Sequence, residues 1–549
     1  QTFDFEASCV LAHNTMFDGA ILGWRYNINP RFYTDTLCIA RAVDGVEVSG
    51  SLRALAERYQ LGVKGTEVTD AIGKHRGDFT EEELSHYGDY CINDVDLTYD
   101  LFRRIGRGFP KQELRLIDLT LRMFIDAILV LKRTLLEERL VEIRNHKDSL
   151  LNSAGVDKDD LMSNPKFATL LEAVGVDPPM KISLTTGKET FAFAKSDEDF
   201  MAIRDHEDVK VKNLVEARLG NKSTLEETRT QRFIDISKRG TLPVPVRYYA
   251  AHTGRWGGAD KINLQNLPSR GSSGKKLKRS ILAPESCSLI DADSSQIEAR
   301  ILAWLAEQRD LTQAFAAGED VYKSMAARIY RVAETEVSSE QRFVGKTTIL
   351  GAGYGMGAVR FKDQLGGFDP PVNISISEAR KAINAYRETN WQITRLWRDA
   401  QQTLVSMYNG DDGALGINDL INIAGRKFLT LPSGLRLRYD GLVNYKTDMG
   451  EQFEYKTRRG MTRIYGGKVV ENVCQALARC VIGEQMLRIA KKYKVVLTVH
   501  DSVVCAVPDS EVTEAKKYME ECMRIVPDWA EGLPLDCEVG VGKSYGDCE

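Results

Sequence analysis

The sequence predicts a multi-domain α+β protein, and three observations support that prediction. The chain has 549 residues, which corresponds to about three or four domains of ordinary size. Its 43% hydrophobic and 28% charged residues are typical of globular proteins. Helical periodicities occupy most of its length, whereas the apolar, β-branched runs 495–499 and 503–507 predict an antiparallel hairpin.

Net charge and cysteine spacing indicate which kinds of binding site and which cellular compartment the sequence favours. The formal net charge is −4, so nucleic-acid binding would depend on local basic patches. Ten cysteines without any C-x-x-C spacing argue against zinc and against a disulfide framework, and indicate a reducing compartment. No apolar run approaches the ~18 residues of a membrane span, and the chain begins at Gln1 with neither Met nor a signal peptide. We therefore expect no membrane association.

Two carboxylates lie at predicted strand ends. The stretch 288–306 predicts a short apolar strand that ends at Asp293, a turn at Ser294–Ser295 and then an amphipathic helix. Asp501 lies at the tip of the predicted hairpin. Taken singly, each acid could be a structural turn residue. Brought together, they would repel each other unless cations lay between them, and two Mg²⁺ ions that clamp a phosphoryl transfer are the natural occupants.

A second predicted helix carries two cations in its first half. Ser338 and Gln341 form a capping box at its start, where the helix dipole also favours anions. Residues four apart then lie along one slowly drifting face. These residues are Arg342, Lys346, Leu350 and Tyr354.

These stretches resemble the motifs of family A DNA polymerases. Asp293–Arg300, DSSQIEAR, is similar to motif A, and His500–Ser502, HDS, is similar to motif C. Thr253–Pro268 and the helix that holds Gln475 also match. Motif B is matched by Arg342, Lys346, Leu350, Tyr354 and Gly355. The likeness covers essentially the whole chain in the expected order, and within the family it is phage-like.

The resemblance implies a right-hand polymerase, with an antiparallel palm sheet, helical fingers and thumb, and an incomplete RNase H-like α/β exonuclease domain. The expected divisions are 1–106 for a truncated 3′–5′ exonuclease-like domain, 107–250 for the thumb region, 251–312 for the first part of the palm, 313–424 for the fingers and 425–549 for the second part of the palm. Two amphipathic stripes, at 114–128 and 136–150, predict an antiparallel helix pair in the thumb.

The implied function is template-directed addition of dNTPs to a primer 3′-hydroxyl by a two-metal mechanism, in phage DNA replication. The implied cofactor is Mg²⁺, two ions per site, with Mn²⁺ as a substitute. The implied partners are primer–template DNA, dNTPs and replisome proteins such as a helicase and a single-strand binding protein, in the cytoplasm or host cytosol. Two alternatives remain open, a single-subunit RNA polymerase-like enzyme and a non-catalytic DNA-binding scaffold. Glu298 argues against the first, and the presence of Asp293, Lys346 and Asp501 argues against the second.

The resemblance also implies roles at the nucleotide. Metal binding falls to Asp293, Ser294 and Asp501, and Arg342 and Lys346 hold the triphosphate. The remaining residues expected at the reacting groups, base and sugar are Gln296, Glu298, Leu350, Tyr354 and His500. Two departures from the family pattern bear on these roles: Leu350 lies where Phe or Tyr is usual, and Ser502 replaces the usual Glu of motif C.

Glu298 has two competing explanations. Ser295-x-x-Glu298 matches a capping box, in which Glu298 only satisfies the backbone at the start of the helix. The resemblance instead makes Glu298 a steric gate under the sugar, partnered with Tyr354, that excludes a ribose 2′-hydroxyl.

Contacts with DNA are implied for a scattered set of polar and basic residues. Arg255 and Gln475 are expected in the minor groove of the primer–template. Arg279, in the basic cluster 275–279, and Lys222 are candidates for backbone contacts, although both could be solvated side chains. Residues with amides expected near the template or primer strand are Asn263, Gln265 and Asn266.

The N-terminal stretch resembles part of a DnaQ-type 3′–5′ exonuclease. His13–Asp18 is similar to the second nuclease motif, and Tyr90-x-x-x-Asp94 is similar to the third. Asp4–Glu6 has the spelling of the first motif but lies too close to Asp18 to leave room for the intervening strands. We therefore expect an incomplete nuclease site that retains Asp18, Tyr90 and Asp94, and little nuclease activity.

Overall fold

The computed structural model describes residues 3–183, 187–195, 197–204, 206–267, 271–368, 370–423, 425, 428–447 and 450–548. Pro268, the last residue of the motif-like stretch that begins at Thr253, lies outside this set. Long helices and small, mostly antiparallel sheets make up the described part, as an α+β fold requires. No helix in these ranges is both long and apolar enough to span a bilayer.

The helices and strands are numbered along the chain. The helices are α1 (Thr15–Ala20), α2 (Thr36–Asp44), α3 (Leu52–Tyr59), α4 (Glu81–Ile105), α5 (Lys111–Ile125), α6 (Arg133–Ala154), α7 (Lys158–Met162), α8 (Asn164–Ala173), α9 (Glu198–Ile203), α10 (Val209–Lys222), α11 (Leu225–Ser237), α12 (Gly271–Arg279), α13 (Ile297–Leu305), α14 (Arg309–Ala316), α15 (Val321–Tyr330), α16 (Ser339–Ala352), α17 (Ala358–Gly366), α18 (Ile376–Thr389), α19 (Trp391–Asn409), α20 (Gly466–Ile489) and α21 (Val512–Arg524). The strands are β1 (Cys9–Ala12), β2 (Phe32–Asp35), β3 (Val130–Leu131), β4 (Met180–Ile182), β5 (Glu189–Phe191), β6 (Val246–Arg247), β7 (Gly257–Gly258), β8 (Ile281–Leu282), β9 (Cys287–Ser294), β10 (Ala414–Leu415), β11 (Ile421–Ile423), β12 (Phe428–Thr430), β13 (Arg436–Arg438), β14 (Val443–Thr447), β15 (Gly450–Thr457), β16 (Gly460–Ile464), β17 (Lys494–Val499), β18 (Ser502–Pro508) and β19 (Cys537–Gly542).

A four-stranded antiparallel sheet, in the order β17-β18-β9-β19, carries both strand-end acids. The hairpin predicted from the two β-branched runs is present as β17 and β18, joined by a two-residue tip. His500 in that tip has φ 53°, a left-handed conformation that reverses the chain sharply. The sheet buries one face against helices α20 and α21.

The sheet meets a second, mainly helical core where β9 leads into α13. Leu289, Ile290 and Ala292 belong to the core beneath the sheet, whereas Ile301 and the rest of α13 belong to the core formed with α15, α16, α18, α19 and α20. Asp293 is therefore held at the junction of two packed bodies, which fixes its position.

The predicted antiparallel pair of α5 and α6 is wrong. Helix α6 packs against α10 and α11, whereas α5 packs against α1, β2, β17 and α20. The apolar stripe predicted for α5 is buried, with Ile117 and Leu121 fully inside, but Ile128 lies beyond the end of that helix. Periodicity predicted a buried face correctly and could not identify the partner of that face.

The N-terminal unit contains a parallel pair, β1 and β2, with α2, α3 and α4 packed around it. Helix α4 begins with a complete capping box between Thr80 and Glu83, and Asp35 caps α2 by accepting from the Leu37 amide at 2.8 Å. The His13–Asp18 stretch follows β1, and Tyr90 and Asp94 lie on α4.

Candidate active site

Asp293 and Asp501 are brought together by strand register. Asp293 on β9 lies directly opposite Ser502 on β18, so Asp501 in the hairpin tip lies beside it. The Ser294 amide donates to the backbone carbonyl of Asp501 at 3.1 Å, which joins the end of β9 to the tip. Two backbone segments more than 200 positions apart thus present their carboxylates at one rim of the sheet.

The two carboxylates share an environment that disfavours their negative charge. Burial, followed by the charge of Asp501 and the nearby Asp291 and Glu538, raises the pKa of Asp293 to about 7. Burial also raises the pKa of Asp501. Lys278 opposes the rise in the pKa of Asp293, and His500 and Arg255 oppose the rise in the pKa of Asp501. The balance still disfavours two negative charges side by side, so a bound cation would stabilise them.

The donor set fits Mg²⁺ that is shared with a substrate. No group of three or more His, Cys, Asp or Glu side chains suited to a metal occurs among the described residues. Mg²⁺ commonly uses only one or two carboxylates and completes its shell with water and substrate phosphates. The side chain of Ser294 is buried on the opposite face from Asp293, so Ser294 could contribute only its backbone carbonyl.

The capping box predicted at Ser295 is not formed. Helix α13 begins at Ile297, and the cap position is Gln296, whose φ of 46° is left-handed and whose side chain does not cap. The Gln296 amide oxygen instead accepts from Arg300 at 3.2 Å. The backbone turns too tightly between β9 and α13 for Ser295 to take the cap position.

Glu298 is instead paired with Arg255. The Arg255 Nη1 atom donates to Glu298 Oε1 at 3.2 Å. Burial raises the pKa of Glu298, Arg255 opposes that rise, and the charges of Asp501 and Glu471 add to it. Glu298 therefore lies within electrostatic reach of Asp501. The capping explanation for Glu298 is excluded.

Helix α16 presents its two cations near an aromatic ring. The predicted capping box between Ser338 and Gln341 is complete. The Arg342 and Lys346 cationic groups lie 5.5 and 5.8 Å from the centre of the Tyr322 ring. Arg342 also forms an ion pair with Asp320 at 2.6 Å.

Tyr354 lies past the end of α16, so the prediction that it shares the helical face is wrong. The helix ends at Ala352, within a glycine-rich segment that does not sustain helix, and only Arg342, Lys346 and Leu350 lie on the face. The Tyr354 hydroxyl is nevertheless desolvated and close enough to Glu298 for that carboxylate to raise its pKa further. Leu350 is exposed at 41%, which leaves an apolar surface open beside the two cations.

Gln265 is committed to the hairpin tip, which contradicts its predicted contact with template or primer. Its Nε2 donates to the Thr498 carbonyl at 2.5 Å, and its Oε1 accepts from the His500 amide at 2.8 Å. The side chain is 7% exposed. Both functions of the amide are used by the protein, so Gln265 positions the segment that carries Asp501.

Comparisons with known proteins identify the family to which the chain belongs. The family model described as DNA polymerase family A matches residues 133–407, half of the chain. The chain belongs to DNA polymerase family A. This membership confirms both the resemblance seen in the sequence and the predicted enzyme class, a DNA-directed DNA polymerase.

Similar polymerases come from a phage and from bacteria. The DNA polymerase of Bacillus phage SP02 is 24% identical over 99% of this chain and 88% of its own length. DNA polymerase I of Borreliella burgdorferi is 23% identical over 98% of this chain, and the thermostable DNA polymerase I of Thermus filiformis is 27% identical over 56%. The chain spans only 56% and 33% of the lengths of these two bacterial relatives.

A solved structure shares the fold. The POL domain of Pol1 from M. smegmatis, in complex with DNA primer–template and dNTP, matches with a TM-score of 0.70 at 20% identity, covering 98% of this chain and 86% of that one. This likeness confirms the α+β polymerase fold that the sequence predicts.

The other predicted DNA contacts of this polymerase are placed unevenly. Asn266 is exposed, whereas the Oδ1 atom of Asn263 is buried and that residue has φ 41°. Gln475 on α20 donates to Glu471 at 3.3 Å. Lys222 is exposed at the end of α10. Asn266, Gln475 and Lys222 therefore remain predictions with side chains that DNA could reach.

The basic cluster before β9 is partly used by the protein itself. Lys276 forms an ion pair with Glu142 at 2.6 Å, and Arg279 approaches Asp547 at 3.4 Å. Lys278 is 8% exposed and lies 5.0 Å from the ring centre of Tyr545. Arg279 is the half-exposed member of this group and remains a candidate for contact with DNA.

Two of the nuclease-like residues line a cavity of about 1480 Å³ between the N-terminal unit and residues 247–250 and 457–462. Asp18 and Asp94 both line it, and Tyr90 lies one helical turn before Asp94. Lys64 forms an ion pair with Asp94 and donates to the Tyr90 hydroxyl at 2.7 Å. Asp4 lies in a turn before β1, where its carboxylate accepts from the Ala7 amide, and not on a strand as the first nuclease motif requires.

Sequence reasoning missed Lys64 and the role of Gln265. Lys64 lies in a polar loop whose composition is typical of solvent-exposed segments, and its partner is 30 residues away. Gln265 was noticed through its motif, but its partners lie more than 230 residues downstream. Neither pairing leaves a periodic signal in the sequence.

Proposed function

We propose that this polymerase extends a primer 3′-hydroxyl with dNTPs on a DNA template, using two Mg²⁺ ions bound at Asp293 and Asp501. The observation that carries the proposal is the adjacency of these two acids at one rim of the sheet. Bound Mg²⁺ would activate the attacking hydroxyl and stabilise charge on the transferred phosphate. No protein nucleophile is required for this reaction.

The triphosphate is assigned to α16. Arg342 and Lys346 present their charges near the helix N-terminus, where the dipole also favours anions. Because Arg342 is paired with Asp320 at 2.6 Å, an incoming triphosphate would displace Asp320 from this guanidinium. Leu350 and Tyr354 are assigned to the base and sugar, next to Glu298.

Glu298 is assigned to sugar selection. Its pairing with Arg255, and its electrostatic reach to Asp501, support a place under the sugar of the incoming nucleotide. A carboxylate at that position leaves no room for a ribose 2′-hydroxyl. This assignment favours a DNA polymerase over the RNA polymerase-like alternative.

We further propose that the sheet with α13 and α20 forms the palm, that α14–α19 form the fingers, and that α6, α10 and α11 form the thumb. Lys222, Asn266, Arg279 and Gln475 would contact primer–template DNA from these parts. A relative of this chain is a phage DNA polymerase, and we propose a role in phage DNA replication. A helicase and a single-strand binding protein are the partners proposed for that role.

Primer extension with Mg²⁺ tests the proposal. The variants Asp293→Ala and Asp501→Ala should abolish extension while primer–template binding stays within a few-fold, because phosphate contacts elsewhere supply most of the affinity. Asp509→Ala is the matched control, since Asp509 follows β18 and pairs with Lys543 at 2.5 Å, away from the tip. Extension by either active-site variant near the wild-type rate would refute the metal assignment. Equal use of NTPs and dNTPs by the wild type would favour the single-subunit RNA polymerase-like alternative.

A further inference from the structure

A fully buried ion pair joins α5 to α20. The side chains of Glu113 and Arg479 are 3% and 2% exposed, and Arg479 Nη2 donates to Glu113 Oε2 at 2.6 Å. The Tyr248 hydroxyl donates to the same carboxylate oxygen at 2.5 Å. Arg479 lies on the helix that also holds Gln475, and the sequence analysis assigned a role to neither Arg479 nor Glu113.

The guanidinium of Arg479 also holds a loop. Its Nε donates to the backbone carbonyl of Gly254 at 3.2 Å, and its plane lies 4.8 Å from the ring centre of Trp256 and 5.1 Å from that of Tyr248. One planar cation therefore satisfies a carboxylate, a backbone carbonyl and two aromatic faces. A lysine side chain ends in a single ammonium group, which cannot contact all of these partners at once as the planar guanidinium does.

The loop held by Arg479 has little freedom. Gly254 has φ +78°, and a Cβ at this position would lie 2.7 Å from the Tyr249 ring. The Ala250 amide donates to the Arg255 carbonyl at 2.9 Å, and Trp256 Nε1 donates to Thr120 at 3.0 Å. The backbone on both sides of Arg255 is thereby fixed from the protein interior.

Arg255 connects this loop to the sugar site. It is the residue between Gly254 and Trp256, and its guanidinium reaches Glu298 at 3.2 Å. A shift of the Gly254 carbonyl would move Arg255 and, with it, the Glu298 carboxylate. Misplacing an active-site group by about 1 Å can change rates a hundredfold.

The charge of the pair has no evident advantage for stability alone. A buried ion pair loses hydration that its mutual attraction does not always restore, and apolar replacements are often at least as stable. An apolar side chain at 479 would, however, leave the Gly254 carbonyl without its donor.

We propose that Arg479, held by Glu113, is a positioning residue that fixes Arg255 and through it Glu298, and so contributes to the discrimination of dNTPs from NTPs. This inference rests on the proposed sugar-selecting role of Glu298. Arg479 acts through the loop, and touches neither nucleotide nor metal.

A double-mutant cycle tests the inference. The ratio of kcat/KM for a dNTP to kcat/KM for the matching NTP is measured for wild type, Arg479→Lys, Arg255→Ala and the double variant, each with its Tm. Arg479→Lys is expected to lower the ratio by at least about threefold in the wild-type background and to leave it unchanged in the Arg255→Ala background. A merely structural role would lower Tm and both rates without this dependence on Arg255.

The matched control is Arg488→Lys. Arg488 lies on the same helix, pairs with Glu484 at 2.9 Å and donates to Ile525, far from the loop, so the ratio should stay at the wild-type value. If Arg479→Lys does not fold, Glu113→Asp keeps the charge but draws the guanidinium away from Gly254, and should lower the ratio in the same Arg255-dependent way.

The outcomes separate the inference from the proposed function. If Glu298→Ala and Arg255→Ala both leave the ratio at its wild-type value, sugar selection does not involve Glu298 and the proposed role fails. If Glu298→Ala lowers the ratio but the folded variants of Arg479 and Glu113 do not, Glu298 keeps its role and the positioning inference is refuted.

Discussion

Two carboxylate sites in this molecule differ in the charges that surround them. At the sheet rim, Asp293 and Asp501 lie side by side, and burial together with their mutual repulsion raises the pKa of Asp293 to about 7. In the N-terminal unit, Asp94 is already ion-paired with Lys64, which also donates to Tyr90. The chain itself supplies a cation to the second site.

This difference separates a pair of carboxylates that repel each other from a single carboxylate that a lysine of the same chain contacts directly. The rim acids are mounted on strands at the junction of two cores, so they cannot move apart to relieve their repulsion. Asp94 lies on a helix opposite a flexible lysine side chain, which a ligand could displace only by breaking the ion pair. We therefore assign metal binding to the sheet rim, and expect little nuclease activity from the N-terminal site of this chain.

The largest expected contrast is between extension and nuclease activity. Digestion of a single-stranded 3′ end should be slower than extension by more than about a hundredfold, the scale of rate lost when catalytic groups are misplaced. The rate at which 3′ nucleotides are removed from a labelled oligonucleotide measures the digestion, with Asp94→Ala as the control. Robust digestion that Asp94→Ala eliminates would show that the nuclease site is complete, with Asp4 and Glu6 as ligands after all.

Glu298→Ala should have the next largest effect. Without the carboxylate under the sugar, incorporation of NTP relative to dNTP should rise at least about tenfold, equivalent to about 1.4 kcal/mol of discrimination. Steady-state kcat/KM for both sugars measures the change. A variant that melts earlier but discriminates like the wild type would leave Glu298 with a purely structural role.

Gln265→Leu should weaken metal binding by a smaller factor. It removes both hydrogen bonds that hold Thr498 and His500, so the tip that carries Asp501 should loosen and apparent Mg²⁺ affinity should fall about three- to tenfold. Faster amide hydrogen exchange in residues 494–508 would report the loosening directly. Gln485→Leu is the matched control, because Gln485 is also buried but donates to the Met523 carbonyl. Equal Mg²⁺ affinity for both variants would mean that Gln265 serves stability alone.

The smallest effect concerns stability and pH. Because the folded-state pKa of Asp293 is raised from 3.8 to about 7, the folded chain holds more protons than the unfolded chain between these values, and its stability falls as pH rises through that window. Without divalent metal, Asp293→Asn should therefore raise Tm by about 1–2 °C at pH ~8 and leave it unchanged at pH ~4. The gain is small because part of the Asp293 side chain is open to solvent at the rim, even though the surrounding protein removes much of its hydration. A lower Tm for this variant at high pH would contradict the assigned repulsion.

The strands and helices that carry the site could be predicted from the sequence more accurately than the contacts between them. Asp293 and Asp501 were predicted at strand ends because alternation and β-branching are local signals, and register then brings them together. Of the two explanations that the sequence left open for Glu298, the capping box at Ser295 is excluded because the helix starts later, after a left-handed Gln296, and a sequence motif does not specify that backbone angle. The partner of α5 was wrong because an apolar stripe predicts burial without naming what covers it.

The missed residues have one physical feature in common. Lys64, Gln265 and Arg479 act through side-chain contacts with residues 26 to 366 positions away. Such contacts arise only after the chain has folded, and no window of sequence contains both partners. These three side chains position or pair with segments that the sequence motifs do identify, namely those that carry Asp94, Asp501 and Arg255.

Binding of Mn²⁺ tests the contrast between the two sites most directly. Electron paramagnetic resonance counts the ions bound by the chain with dNTP and a primer that ends in a dideoxynucleotide, so that no turnover occurs. We predict that Asp293→Ala and Asp501→Ala each lose the tightly bound Mn²⁺, whereas Asp94→Ala retains it. Loss of that Mn²⁺ in Asp94→Ala, with the two rim variants unchanged, would contradict the assignment of the metal site to the sheet rim.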